Sequence, residues 1–302
     1  MPATRGRDVR GLLLLDKPGG LTSNRALQRV RRLFDAAKAG HTGSLDPLAT
    51  GMLPICFGAA TSVCAYLLDS AKAYRVVATL GAATDTGDAD GTVVATSEGA
   101  PPDRDAVDSA LKRFEGLIEQ IPPMYSALKQ GGVRLYRLAR SGVSVPRAAR
   151  PVTIETLLLE SYRWPELTLT VRCSKGTYIR TLVEDIAVAL GTLGHVRELR
   201  RLYVEPFADK PMVDLPALEA LAEGGFAVLD RSLLGLDSAL PEWPGVTLSA
   251  DEAARLLHGQ SVAAAPEWPA GRVKVYAADG ELLALGEVAA EGRLAPLRVF
   301  GR

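Results

Sequence analysis

The chain has 302 residues, 47% of them hydrophobic and 23% charged, and its 35 basic side chains balance 35 acidic ones. This composition fits one large globular domain with a real core, or such a domain with a small appendage, and its zero net charge gives no hint of a polyanionic partner. Three cysteines, Cys56, Cys64 and Cys173, form no CxxC pair, which excludes a disulfide framework and a zinc site and reads as reduced thiols in an intracellular protein. No apolar run approaches the roughly 18 residues of a membrane span. Four leucines after Arg5, Arg7 and Arg10 are too few for a signal peptide. The expected location is cytoplasmic, with no membrane partner.

Residues 11–15 read as a short buried strand ending in the turn Asp16-Lys17-Pro18-Gly19-Gly20. Thr22 and Ser23 are N-cap candidates for a helix whose apolar residues Ala26, Leu27, Val30, Leu33 and Phe34 recur with helical period. Arg25, Arg29 and Arg32 share its outward face, and residues 1–40 hold nine Lys/Arg against three Asp/Glu. That face is either solvated or directed at phosphate. The stretch Gly40-His41-Thr42-Gly43-Ser44-Leu45-Asp46-Pro47-Leu48-Ala49-Thr50-Gly51 is too rich in Gly and Pro for a regular element. It suits a fixed irregular loop that holds Asp46.

Beyond the loop, residues 52–57 are mostly apolar, a helix runs to Leu68, and residues 73–80 read as a strand. The acidic stretch 84–91 has no closing Glu and an early Gly, so it is a hairpin connection to strand 92–96 and not a calcium loop. Residues 102–115 suit a helix. Residues 120–154 contain no acidic residue but carry Lys129, Arg134, Arg137, Arg140, Arg147 and Arg150 with Tyr125 and Tyr136. This resembles an extended, mobile insertion, and composition alone leaves open a polyphosphate-binding segment and a solvated basic loop. Strands follow at 153–159 and 166–173, then a turn at 174–177 and a helix through Leu190 ended by Gly191 and Gly194. The segment 195–202 is again basic. Residues 205–252 reverse the balance, with ten acidic residues against Lys210 and Arg231. A linker at 241–245 precedes a small β module of short strands with one helix.

Only His41, His195 and His258 are available to a catalytic triad, and Gly-x-Ser-x-Gly, the P-loop and GxGxxG patterns are absent, as are metal-spaced His/Cys/Asp clusters. Elimination leaves an oxygen nucleophile or base without a metal, and Asp46 is the best-placed carboxylate. Burial alone would protonate it, so it needs a cationic partner, for which Arg180 is a candidate. Tyr74 offers a stacking face to a base.

The run from Gly40 to Leu53 closely resembles the catalytic motif of the TruB family of tRNA pseudouridine synthases. Leu15-Asp16-Lys17-Pro18, Lys72-Ala73-Tyr74-Arg75-Val76, Gln120-Ile121-Pro122-Pro123-Met124-Tyr125-Ser126-Ala127 and Ser174-Lys175-Gly176-Thr177-Tyr178-Ile179-Arg180-Thr181 match the same family in the same order, covering about residues 11–205. The C-terminal module resembles a PUA-type RNA-binding module. Ser44 and Ser62 stand where relatives often carry Ala and Lys, and the second puts one charge contact in doubt.

The resemblance implies an α/β (α+β) pseudouridine synthase fold: a mixed, largely antiparallel central sheet flanked by helices, as a catalytic domain over residues 1–245 with an RNA-gripping insertion at about 124–152, then a β-rich PUA-like module over 246–302. It implies conversion of uridine 55 in the tRNA T-loop to pseudouridine, on a base flipped out of the loop. Asp46 becomes the catalytic carboxylate, paired with Arg180, and Tyr74 stacks on the base and takes a proton. Tyr178 and Leu199 line the uracil pocket, and His41 enters the RNA loop. Lys17, Lys129, Arg134, Arg137 and Arg140 become RNA contacts. No metal or organic cofactor and no obligate protein partner is implied, and the chain is expected to act as a monomer on the T-arm of tRNA. The alternative is a tRNA-binding folding factor with a vestigial site.

Overall fold

Four consecutive leucines form one strand because the sheet they enter is covered on both faces. In β1 (Gly11–Lys17), Leu13 and Leu15 belong to one apolar core and Leu12 and Leu14 to another. A strand buried on both sides reads as a continuous apolar run, without alternation. The computed structural model describes residues 6–300; Arg5 of the basic N-terminal segment lies outside them.

After β1, helix α1 (Ser23–Leu33) is capped by Thr22, whose side chain accepts from the Arg25 N–H. It buries Ala26, Leu27 and Val30 and leaves Arg25, Arg29 and Arg32 exposed. β2 (Ala39–His41) and β3 (Thr50–Phe57) pair antiparallel and flank the irregular loop. A short helix α2 (Cys64–Asp69) leads to β4 (Lys72–Leu80). The acidic stretch connects the hairpin strands β5 (Ala82–Thr84) and β6 (Val93–Thr96), as its composition predicts. Helix α3 (Arg104–Lys112) begins at the N-cap Asp103, and β7 (Gly116–Gln120) follows. The basic insertion has more regular structure than an extended segment. It forms a hairpin of β8 (Lys129–Gln130) and β9 (Val133–Arg134) and one helical turn and a half, α4 (Leu135–Arg140), anchored by buried Leu135.

β10 (Arg150–Arg163) and β11 (Glu166–Cys173) form a long antiparallel pair, with bulges in β10 that let it run past the expected end. α5 (Ile179–Ala189) buries its stripe of Leu182, Val183, Ile186 and Ala187. The basic segment after it is a strand, β12 (Gly194–Val204). Its charges hide the alternation: Leu199 and Arg201 are buried, whereas Glu198 is exposed and Arg200 half-exposed. β13 (Val213–Asp214) and α6 (Leu215–Glu223) close the first unit.

Among the described residues the main sheet has nine strands in the order β13-β1-β3-β12-β4-β11-β10-β7, with β2 on β3. It is mixed and mostly antiparallel, the β12–β3 and β13–β1 pairs being parallel. A second sheet of five strands occupies residues 245–299. Val246, Leu256, Val273, Val275 and Leu294 form its own core. Leu285 and Phe300 join the apolar cluster beneath β1 and β3, so the two sheets pack together. No helix is long and apolar enough to cross a membrane among the described residues.

Candidate active site

β12 lies between β3 and β4 at the middle of the main sheet. This brings the loop between β2 and β3, which carries Asp46, next to Tyr74 on β4 and to Leu199 on β12. Gly51 permits the approach. It adopts φ +98°, and a Cβ there would run into the Arg201 carbonyl oxygen.

The loop is held on both sides of Asp46. The Ser23 hydroxyl accepts from the Leu45 N–H at 2.7 Å and donates to the Leu45 carbonyl at 3.0 Å. On the other side, the Gly20 N–H donates to the Pro47 carbonyl at 2.8 Å. Lys17 sends its ammonium to the carbonyls of Pro18, Leu21 and Pro47 at 2.8, 2.7 and 3.3 Å. Lys17 is 0% exposed. The expected RNA contact at this residue is therefore corrected: its three donors are spent on the protein's own turn, and burial lowers its pKa to about 8.

Asp46 keeps 40% of its side-chain exposure while its partner Arg180 keeps 5%. Arg180 Nε lies 3.0 Å from Asp46 Oδ2 and 3.7 Å from Asp88 Oδ2. Its Nη1 donates to the Thr86 carbonyl and its Nη2 to the Tyr125 carbonyl, each at 2.7 Å. One guanidinium thus ties together the loop that carries Asp46, the acidic hairpin connection and the base of the insertion. Burial raises the Asp46 pKa; Arg180 opposes this, Asp88 adds to it and Lys17 opposes it. The result is a carboxylate fixed by its loop and partly exposed to solvent, with an arginine that opposes the effect of burial on its ionisation.

Around it, Tyr74 is buried on β4, and burial raises its pKa against the pull of Arg201. Leu199 is buried in the same core as Tyr74. Tyr178, half-exposed at the start of α5, is held through its backbone. Its N–H donates to Gln120 Oε1 at 3.0 Å, and Gln120 Nε2 donates to its carbonyl at 3.3 Å. His41, half-buried on β2, has an Nδ1 without a partner, and burial followed by the Arg201 charge lowers its pKa. Asp46, Arg180, Tyr74, Tyr178, Leu199 and His41 are therefore gathered by the loop and the strands around it.

Lys129, Arg134, Arg137 and Arg140 are elsewhere, exposed on the insertion. Lys129 and Arg134 face each other across the β8–β9 pair. Like charges directly opposite in a ladder are destabilising unless an anion lies over them. Arg134 and Arg140 flank the Tyr136 ring at 6.0 and 5.7 Å.

The sequence reading missed Ser23, Asp88, Gln120 and Arg201. Ser23 looked like a cap, but Thr22 takes that role and frees Ser23 for the loop. Asp88 looked like one of several turn aspartates, and only the fold turns it toward Arg180.

A mixed sheet with a loop-borne aspartate held against a buried arginine is the architecture of a pseudouridine synthase. Solved structures agree on the fold: the chain superposes with a TM-score of 0.72 and 23% identity on a chain of the H/ACA RNP bound to a substrate RNA containing 2′-deoxyuridine, covering 100% of this chain and 92% of that one. A Cbf5-Nop10-Gar1 complex gives a TM-score of 0.70 at 26% identity over 97% of this chain and 84% of that chain.

Residues 31–179 match the N-terminal domain of the TruB family pseudouridylate synthases, 180–241 the tRNA pseudouridylate synthase B C-terminal domain, and 244–300 the pseudouridine synthase II TruB C-terminal pattern. Proteins called tRNA pseudouridine synthase B are 52% identical in Pseudomonas putida, over 97% of this chain and 96% of theirs. The one in Pseudomonas aeruginosa is 52% identical over 97% of each, and that of Nitrosococcus oceani 49% over 98% and 96%. The chain belongs to the TruB family and is a pseudouridine synthase of the bacterial type.

Proposed function

We propose that this enzyme isomerises uridine 55 in the T-loop of tRNA to pseudouridine, with Asp46 as its catalytic carboxylate. The observation that carries this reading is the Asp46–Arg180 pair at 3.0 Å, in which the arginine is buried and the aspartate reachable from the cleft. The names of the relatives support tRNA as the substrate.

The target base leaves its stack and enters the cleft beside Asp46, a cost in unstacking met by pocket contacts. Tyr74 gives the base a flat face, while Tyr178 and Leu199 bound the uracil ring. Asp46 attacks the sugar or the base, or assists loss of a sugar proton to a glycal. In each route the C1′–N1 bond breaks, the uracil turns, and C1′ bonds to C5. Arg180 keeps Asp46 ionised for the attack. His41 contacts the T-loop where the base has left, which would supply the partner that its Nδ1 lacks. Lys129, Arg134, Arg137 and Arg140 grip the T-arm backbone. The chain acts as a monomer, with residues 1–245 as the catalytic body and 246–302 as an RNA-binding module.

The test is to map pseudouridine at nucleotide resolution in an unmodified tRNA transcript treated with the wild-type chain and with Asp46→Asn. Modification at position 55 by the wild type alone supports the reading. A transcript that is bound but unmodified by the wild type would make the protein a tRNA-binding folding factor instead.

A further inference from the structure

Arg201 has none of the roles above, yet it touches the parts that do. It is 1% exposed, and no carboxylate lies within ion-pair range of it among the described residues. Its Nε donates to the Met52 carbonyl at 2.6 Å and its Nη2 to the Gly43 carbonyl at 3.2 Å. Those carbonyls stand at the two ends of the loop that carries Asp46. In the β12–β4 register Arg201 is directly opposite Tyr74, and opposite residues of an antiparallel pair project from the same face. Its side chain accordingly lies on the same face of the sheet as the Tyr74 ring, and its charge favours the ionised form of Tyr74.

Carbonyl partners satisfy the N–H groups of a guanidinium but leave its charge unneutralised. A buried cation without an anion is unfavourable unless an anion arrives or forms beside it. The other charged or titratable neighbours do not neutralise it. Lys17, Lys72 and His41 face Arg201, and all three have lowered pKa values partly on its account. Cys173 and Asp46 face Tyr74 and disfavour charge on it; Arg201 acts the other way.

We propose that Arg201 is a positioning residue that locks Tyr74 to the Asp46 loop and lets the Tyr74 oxygen take the proton released from C5 of the uracil. This rests on the isomerisation proposed above. When the C1′–C5 bond has formed, the hydrogen on C5 leaves as a proton to the Tyr74 oxygen, whose own phenolic proton passes to solvent, a departure that Arg201 favours. N1, which lost its bond to C1′, takes up a proton, so nothing is oxidised or reduced.

The experiment uses single-turnover rates on tRNA carrying uridine or 5-deuterouridine at position 55, for the wild type, Arg201→Gln, Arg201→Lys, Tyr74→Phe and the Arg201→Gln/Tyr74→Phe double variant. Arg201→Gln is expected to slow the reaction by about ten- to a hundredfold and to leave tRNA affinity within about threefold. It should show a larger deuterium effect than the wild type and a rate profile displaced to higher pH. Arg201→Lys, which keeps the charge, should restore the wild-type pH profile, and it remains informative if Arg201→Gln does not fold. In the Tyr74→Phe background Arg201→Gln should cost little more. Additive losses, an unchanged deuterium effect and pH profile, or a loss confined to tRNA affinity would overturn the proposal. A wild type that forms no pseudouridine would overturn the functional reading instead.

Discussion

The loop of residues 40–51 and the insertion at about 124–152 both carry or recruit many cations, and they treat them in opposite ways. Around the loop, three cations point inward. Lys17 is spent on three carbonyls, Arg201 on two, and Arg180 on two carbonyls and Asp46. On the insertion, Lys129, Arg134, Arg137 and Arg140 stand exposed, none in an ion pair among the described residues, with two of them facing each other across a hairpin. Buried positive charge fixes one geometry, because a donor committed to a carbonyl cannot wander. Exposed uncompensated charge fixes none and serves a polyanion from outside. On the function proposed above, one region serves the chemistry and the other the grip on RNA, so mutations in each should separate rate from affinity.

The largest effect should come from Asp46→Asn, which is expected to reduce pseudouridine formation to background. tRNA binding by gel shift or filter retention should change by less than about threefold, since an isosteric amide preserves the loop. A large loss of affinity would mean that the loop itself grips RNA, and the contrast would break.

Arg180→Met removes the cation between two carboxylates and leaves the Thr86 and Tyr125 carbonyls without a donor. Losing one partner of a buried charge network costs about 3–5 kcal/mol. Urea unfolding should show a loss of that order, and the rate should fall at least about a hundredfold at pH 7.

The glycines of the two regions sharpen the comparison. Gly51 and Gly142 both have positive φ, but a Cβ on Gly51 meets the Arg201 backbone, whereas one on Gly142 meets nothing within 4 Å. Gly142→Ala should cost about 1 kcal/mol, the penalty for a left-handed alanine, and Gly51→Ala about 2–3 kcal/mol or more. Equal losses in denaturant midpoint would show that the loop relaxes freely.

Replacing Lys129, Arg134, Arg137 and Arg140 together by Ala should weaken tRNA binding by about tenfold. The slope of log K against log salt should become shallower by up to about 0.7–0.9 per lost phosphate contact. The single-turnover rate at saturating protein should be unchanged. A reduced maximal rate with unchanged salt slope would assign these cations to catalysis.

The smallest effect concerns pH. Asp46 must be ionised, and its pKa is raised above that of an ordinary aspartate, first by burial and then, against Arg180, by Asp88. Activity should therefore fall with decreasing pH through a value above that of an ordinary aspartate. Asp88→Asn removes a negative neighbour, which lowers the Asp46 pKa and should move this acid limb to lower pH. A limb that stayed in place would mean that burial alone sets the titration.

Much of this protein could be read along the chain, because the signals were local. Helical period gave α1 and α5, β-branched and apolar runs gave β1, β4 and β11, and a Gly/Pro-rich stretch around one carboxylate gave the catalytic loop. Elimination singled out Asp46, with Arg180 and Tyr74 as candidates beside it, and motif resemblance then gave the three their roles, but neither carries distances.

What the chain alone decided was therefore which residue types sit in which local element, since spacing and turn chemistry act over a few residues. Tertiary structure decided their partners. Lys17 was expected to contact RNA until the turn folded over it. Asp88 read as one turn residue among several until the hairpin carried it 3.7 Å from Arg180. Arg201 was one base in a basic segment until β12 was inserted between β3 and β4, where strand alternation put it inside and Arg200 outside. The Arg180–Thr86 and Arg201–Gly43 contacts join residues 94 and 158 positions apart, and no local pattern encodes which distant carbonyl or carboxylate a side chain will meet.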